Sequence, residues 1–283
     1  MTHYRNLSLN DHQIFYREAG DPNHPTLLLL HGFPSSSHMF RNLIPLLKDH
    51  FHLVAPDLPG FGFTKMSEKA EFLYTFDNLA KMIEDFTDAL KLNSYYMYVF
   101  DYGAPVGFRL AMSRPEKVLG IISQNGNAYE EGLSKEGWDP IQKYWREPSG
   151  ANRKALRKLL SLEVTKWQYT HGVVDETKIA PETYTLDAAL MARAGNDDIQ
   201  LDLFLDYANN VAIYPQFHAY FAKEQPPFLA IWGKNDPFFL PVGAEAFRRD
   251  LPTAEICFLN TGHFALETHA EEIAERILIF KES

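Results

Sequence analysis

The sequence predicts an α/β protein: a mostly parallel sheet of eight strands, covered on both faces, with a helical lid inserted after the sixth strand. Three observations lead there. Short apolar runs of strand length alternate with longer stretches whose apolar residues recur at helical spacing, the pattern of parallel strands wound between helices. An early stretch reads as two strands around a polar Asn10-Asp11 centre, as an antiparallel hairpin does. From about residue 129 to 225, β-branched runs become few, and helix formers and aromatics take over.

Taken in order, Leu7 to Arg17 forms the edge hairpin. Leu27-Leu28-Leu29-Leu30 is apolar at every position, so it belongs in a sheet covered on both faces, and it ends in the turn His31-Gly32. His52 to Asp57 and Ser94 to Phe100 are the next strands, the second rich in β-formers. Val118 to Ser123, Phe228 to Trp232 and Ala254 to Leu259 complete the sheet. Between them, Phe76 to Leu90 sets Phe76, Leu79, Ile83, Phe86 and Leu90 on one helix face, and Gly103 to Ser113 and His269 to Phe280 behave alike. Residues 1–128 and 226–283 therefore form the core. Residues 129–225 are an excursion from that single domain, closed by Pro226-Pro227.

Composition narrows the function. A net charge of −10 lacks the clustered Lys and Arg that phosphate backbones or anionic membranes require. No apolar run has the length of a bilayer span, and the first residues lack the basic and apolar regions of a signal peptide, so the chain reads as cytoplasmic. Cys257 lies in an apolar run and is expected to be a buried, inert thiol. The eleven histidines show no ligand spacing on one helix face, so no metal is expected, and the leading reading reached below needs no cofactor. The expected partner is a small hydrophobic molecule, with homodimer formation left open.

In open parallel sheets ligands bind beyond the carboxyl ends of the strands. Four such ends carry candidate chemistry. Val99-Phe100-Asp101-Tyr102-Gly103-Ala104 runs from strand to helix through a tight turn that small residues permit, placing an acid at a helix N-terminus. His31-Gly32-Phe33-Pro34 can turn backbone amides toward the same edge. Trp232-Gly233-Lys234-Asn235-Asp236-Pro237 and Asn260-Thr261-Gly262-His263-Phe264 bring an acid and an imidazole there. Each segment alone is an ordinary cap or turn. Together, in the order Asp101, Asp236, His263, they have the chain order of a nucleophile, an acid and a base.

With these motifs, and with Asp57-Leu58-Pro59-Gly60-Phe61-Gly62, the chain resembles the epoxide hydrolase and haloalkane dehalogenase branch of the α/β-hydrolases. The resemblance implies Asp101 as nucleophile, Asp236 and His263 as its partners, and backbone amides of Phe33 and Tyr102 as an oxyanion hole. A carboxylate displaces a leaving group from saturated carbon and forms an alkyl ester, which water activated by His263 then cleaves. Related dehalogenases hold halide with a Trp after the nucleophile and with an Asn or second Trp; Tyr102 and Phe33 stand in those places here. Related epoxide hydrolases donate a proton from lid tyrosines, and the Phe33-Pro34 pair is typical of them. Tyr207 falls near the second tyrosine's place and Tyr144 is the candidate for the first, although a stricter match puts Ile141 there; Tyr214 is the fallback. His31 and Trp145 complete the expected substrate contacts. An epoxide hydrolase is thus the leading expectation, with a haloalkane dehalogenase and a non-catalytic small-ligand receptor as alternatives.

Overall fold

A hairpin opens the computed structural model, which describes residues 1–67 and 71–282. Strands β1 (His3–Leu9) and β2 (His12–Ala19) pair antiparallel around Asn10 and Asp11. Both turn residues have positive φ (47° and 66°), the requirement of a two-residue turn that follows the strand twist. The remaining strands are β3 (Thr26–Leu30), β4 (His52–Pro56), β5 (Tyr95–Phe100), β6 (Val118–Gln124), β7 (Phe228–Gly233) and β8 (Glu255–Leu259). The sheet runs β1-β2-β4-β3-β5-β6-β7-β8, antiparallel up to β4 and parallel from there on.

The helices are α1 (Leu43–Leu47), α2 (Phe76–Ala89), α3 (Gly103–Ser113), α4 (Lys135–Arg146), α5 (Gly150–Leu156), α6 (Leu162–Thr170), α7 (Pro181–Met191), α8 (Asn196–Ala212), α9 (Tyr214–Glu224), α10 (Pro241–Ala246) and α11 (Leu266–Glu282). Helices α4 to α9 lie between β6 and β7 in the chain. Strand β3 shows why its leucines are continuous: Leu28 and Leu30 join one core cluster with α2 and α3, while Leu27 and Leu29 join a second with α1 and α11. Helix α11 starts at Leu266, earlier than the apolar spacing indicates, but His269 inside it has non-helical angles (φ −133°, ψ 30°), so the regular part begins where expected. None of the described helices is long and apolar enough to cross a membrane.

One expectation fails at the sheet edge. Cys257 is only partly buried, and its neighbour Phe258 is 39% exposed. Strand β8 is the last of the sheet and pairs with β7, so its residues are covered less fully than those of the inner strands. Partial burial still pushes the Cys257 thiol above its ordinary value.

Strand order reverses between β3 and β5: β4 lies on one side of β3 and β5 on the other. Such a switch point opens a crevice at the strand ends, where ligands bind in sheets of this kind. Helix α3 packs tightly over it. A Cβ at Gly103 would lie 2.2 Å from the Leu30 carbonyl oxygen and 2.7 Å from its carbon, and neither backbone atom can move cheaply. Gly103→Ala is therefore expected to cost about 1–3 kcal/mol in urea unfolding. Gly150→Ala, at the first turn of α5 with nothing within 4 Å of its added carbon, is expected to leave the midpoint unchanged or raise it slightly.

Candidate active site

Asp101 follows β5 with φ 47°, a left-handed conformation that a non-glycine residue holds only when its surroundings impose it. The chain turns here directly into α3, and Ala104 N–H donates to the Asp101 carbonyl (3.0 Å). The side chain is thereby aimed across to the loop after β3. Gly32 makes room: a Cβ there would stand 2.4 Å from the Asp101 Cβ and Oδ1. Phe33 N–H donates to Asp101 Oδ1 at 2.6 Å, and the Tyr102 N–H donates to the same carboxyl group. The N-terminus of α3 adds a favourable dipole for negative charge.

His263 and Asp236 reach this carboxylate from β8 and β7. His263 Nδ1–H donates to Asp236 Oδ2 at 2.7 Å, which turns Nε2 toward Asp101, 4.0 Å from Oδ2. That separation is too long for a hydrogen bond. Asp236 is held on every side, because its Oδ1 accepts from Phe238 N–H (2.7 Å) and its Oδ2 also accepts from Asn125 Nδ2 (2.7 Å). Asn125 in turn accepts from Gly233 N–H at 2.9 Å, and Gln124 Nε2 donates to the His263 carbonyl at 3.0 Å. Neither residue was singled out from sequence, although Asn125 follows a strand as the other site residues do.

All three ionisable groups are buried. Burial pushes the Asp101 carboxyl up to about 6, against the lowering effects of His263 and of the Phe33 and Tyr102 amides. Burial alone would lower His263, but the charge and hydrogen bond of Asp236, with Asp101 beyond, hold it above the ordinary histidine value.

Above these groups lies a cavity. Its floor is Asp101, Tyr102, Phe33 and His263; Trp138, Ile141, Leu159, Val164, Trp167, Gln168, Phe204 and Phe238 close it, with Gly137 at its margin. Five expected substrate contacts are absent from this wall. His31 is fully buried beneath it, its Nδ1–H donating to Gly32 O and its Nε2 accepting from Leu58 N–H (2.9 Å), so it ties two loops together. Tyr144 and Trp145 sit one turn beyond Ile141 on α4: Arg153 donates to the Tyr144 hydroxyl (3.1 Å), and the Trp145 indole donates to Phe204 O (2.6 Å). Tyr207 packs one ring behind the wall, 5.7 Å from the Tyr102 ring and 4.5 Å from Trp138. Its hydroxyl donates to Tyr214, which also receives Asn127 Nδ2 at 3.4 Å. The Asp57 motif is scaffold as well, since Asp57 accepts from the Ser37 and Phe63 amides at 2.7 Å each.

Known proteins share this arrangement of chain. The family model for the alpha/beta hydrolase fold matches residues 25–270. An uncharacterized hydrolase of Saccharomyces cerevisiae is 48% identical over 269 residues, 94% of this chain and 92% of that one. A haloalkane dehalogenase of Bradyrhizobium diazoefficiens is 39% identical over 106 residues, 38% of this chain and 33% of that enzyme. Among solved structures, Cfl2 of Burkholderia cenocepacia superposes with a TM-score of 0.83 at 19% identity, covering 99% of this chain and 95% of that one. The epoxide hydrolase CorEH gives 0.78 at 20% identity, covering 99% and 98%. With the family model spanning most of its length, the chain belongs to the α/β-hydrolase fold family.

Proposed function

We propose that this hydrolase opens small apolar epoxides through an ester formed on Asp101. One observation carries the reading: the Asp101 carboxylate lines an apolar cavity with Oδ1 held by the Phe33 amide, and His263 stands 4.0 Å from Oδ2. Oδ2 attacks a ring carbon, the carbon–oxygen bond of the ring breaks, and a tyrosine hydroxyl protonates the departing oxygen. Water then attacks Asp101 Cγ while His263 Nε2 takes one of its protons. The negative charge of this tetrahedral species falls on Oδ1, the oxygen that the Phe33 amide already holds, with the Tyr102 amide also on this carboxyl group. Its collapse breaks the Cγ–Oδ2 bond, and the released alkoxide takes the proton from His263. The second water proton leaves as the Asp101 acid ionises and restores the tyrosine.

Two phenols support the epoxide class. Tyr102 lines the cavity, and its hydroxyl has no partner among the described residues; Tyr207 packs directly behind it. Burial pushes both well above the ordinary tyrosine value, so both stay protonated; the Tyr102 proton faces the site uncommitted, while that of Tyr207 is shared with Tyr214. A second reading, hydrolysis of a carbon–halogen bond, is favoured by the segment shared with a haloalkane dehalogenase and by the Tyr144 hydroxyl, which binds Arg153 and does not line the cavity. A halide leaves without a proton, so the two classes make different demands on these tyrosines.

Incubating the His263→Gln variant with styrene oxide and, separately, with bromoalkanes is expected to leave a stable adduct on the peptide carrying Asp101, read by intact-protein and peptide mass spectrometry. Labelling by epoxides selects the leading reading, labelling by bromoalkanes alone the second, and no labelling refutes both. Tyr102→Phe and Tyr207→Phe, measured with both substrate classes, are expected to include one variant with a loss of about 10²–10⁴ confined to epoxides. Equal losses for both classes, or none in either variant, count against an epoxide substrate.

Single-turnover ester formation needs ionised Asp101, so its rate is expected to fall as pH drops through about 6. The His263 imidazolium lowers the Asp101 value, so His263→Gln should shift this acid limb to higher pH. A limb that stays in place, or moves down, would contradict the assignment of the titrating group.

A further inference from the structure

Helix α6 meets the cavity with Val164, Trp167 and Gln168, which share one helix face. Gln168 is only 4% exposed, yet its carboxamide makes no hydrogen bond among the described residues. Neither end of the amide is sealed against a neighbour, and the residue lines the cavity. For folding alone this is unfavourable, because the amide gives up water and gains no partner. Of the other polar groups here, Asp101 Oδ1 is committed to the Phe33 amide, His263 Nδ1 to Asp236 and the Trp138 indole to Phe238 O at 3.1 Å, while Asp101 Oδ2, His263 Nε2 and the Tyr102 hydroxyl are the groups the proposed reaction uses. Around the amide the wall is apolar, with Phe238, Ile141 and Leu159 among its members.

We propose that Gln168 recognises an uncharged hydrogen-bonding group on the substrate, an ether, carbonyl or hydroxyl oxygen carried beyond the reacting carbon. This rests on reading the cavity as the substrate site. A carboxamide supplies two donors and an acceptor but no charge, so it satisfies a neutral oxygen and does nothing to neutralise an anion. The Asp101 carboxylate in the same cavity would repel an anionic substituent. The substrate is then a small alkyl compound with its reactive centre at Asp101 and one neutral oxygen function at the lid.

Cyclohexanone and methylenecyclohexane differ only in the carbonyl oxygen and serve as probes, with binding to wild-type protein and to Gln168→Leu measured by calorimetry. Gln168→Leu is expected to weaken cyclohexanone about tenfold and to leave methylenecyclohexane unchanged or tighter. The melting temperature of the variant should hold or rise, since no hydrogen bond within the protein is lost. An equal effect on both probes, no effect on either, no binding of cyclohexanone to the wild type, or a fall in melting temperature would each overturn the proposal. Binding is read here without turnover, so a failed Asp101 ester, seen as a missing adduct, remains a separate result.

Discussion

A carboxylate inside an apolar cavity is the constraint on which the rest of this molecule depends. Removing a carboxylate from water is expensive, and the cost must be met by groups already in place. Here those groups are main-chain amides, fixed by the geometry of two loops. The left-handed turn at Asp101 and the absence of a side chain at Gly32 bring the carboxyl group and the Phe33 amide to 2.6 Å. The close passage of α3 over β3, which Gly103 permits, fixes the other wall of the turn. Under the proposed mechanism the Phe33 amide serves twice, because the oxygen it holds at rest is the one that gains charge when water attacks the ester. No reorganisation is needed at that moment.

The sheet order converts this local arrangement into a site. Strands β5, β6, β7 and β8 are adjacent, and successive ends contribute Asp101, Asn125, Asp236 and His263. Asn125, itself at φ 46°, grips Gly233 and Asp236 together, and Gln124 grips the His263 backbone while accepting from the Tyr98 hydroxyl. The imidazole is therefore aimed by both its ring and its main chain. The helical insert reaches the same loop: Tyr169 of α6 stacks on Phe264, beside His263, with centroids 3.8 Å apart and planes within 10°.

Legibility in the sequence followed locality. The strands, the hairpin turn and Asp101, Asp236 and His263 were readable because each is carried by a short segment whose place at the sheet edge follows from fold class alone. The cavity wall was not. On α4, Trp138 and Ile141 face the cavity, while Tyr144 and Trp145 lie on the same side one turn farther on and miss it. Periodicity reports which residues share a helix face, but not where along that face the cavity ends. On α8, Phe204 reaches the wall and Tyr207 stands behind it, a difference of one turn on a helix with aromatics at both levels. Gln168 carried no signal, since a glutamine in a helix is ordinarily a solvated residue.

The apolar wall also sets the reactivity of what it encloses. A carboxylate stripped of water is a stronger nucleophile but more readily protonated, so desolvation helps only up to a limit. With Asp101 near 6, roughly ten carboxylates are ionised for each one protonated at pH 7. Further desolvation, as by loss of the Phe33 or Tyr102 hydrogen bond, would raise the value toward neutrality and, under the proposed mechanism, remove the attacking species. Full solvation would restore ionisation and quench the attack on saturated carbon that the proposed mechanism requires. The amides, the imidazole and the helix end hold Asp101 between these limits, which is why the bend after β5, more than any single lid residue, governs what the site can do.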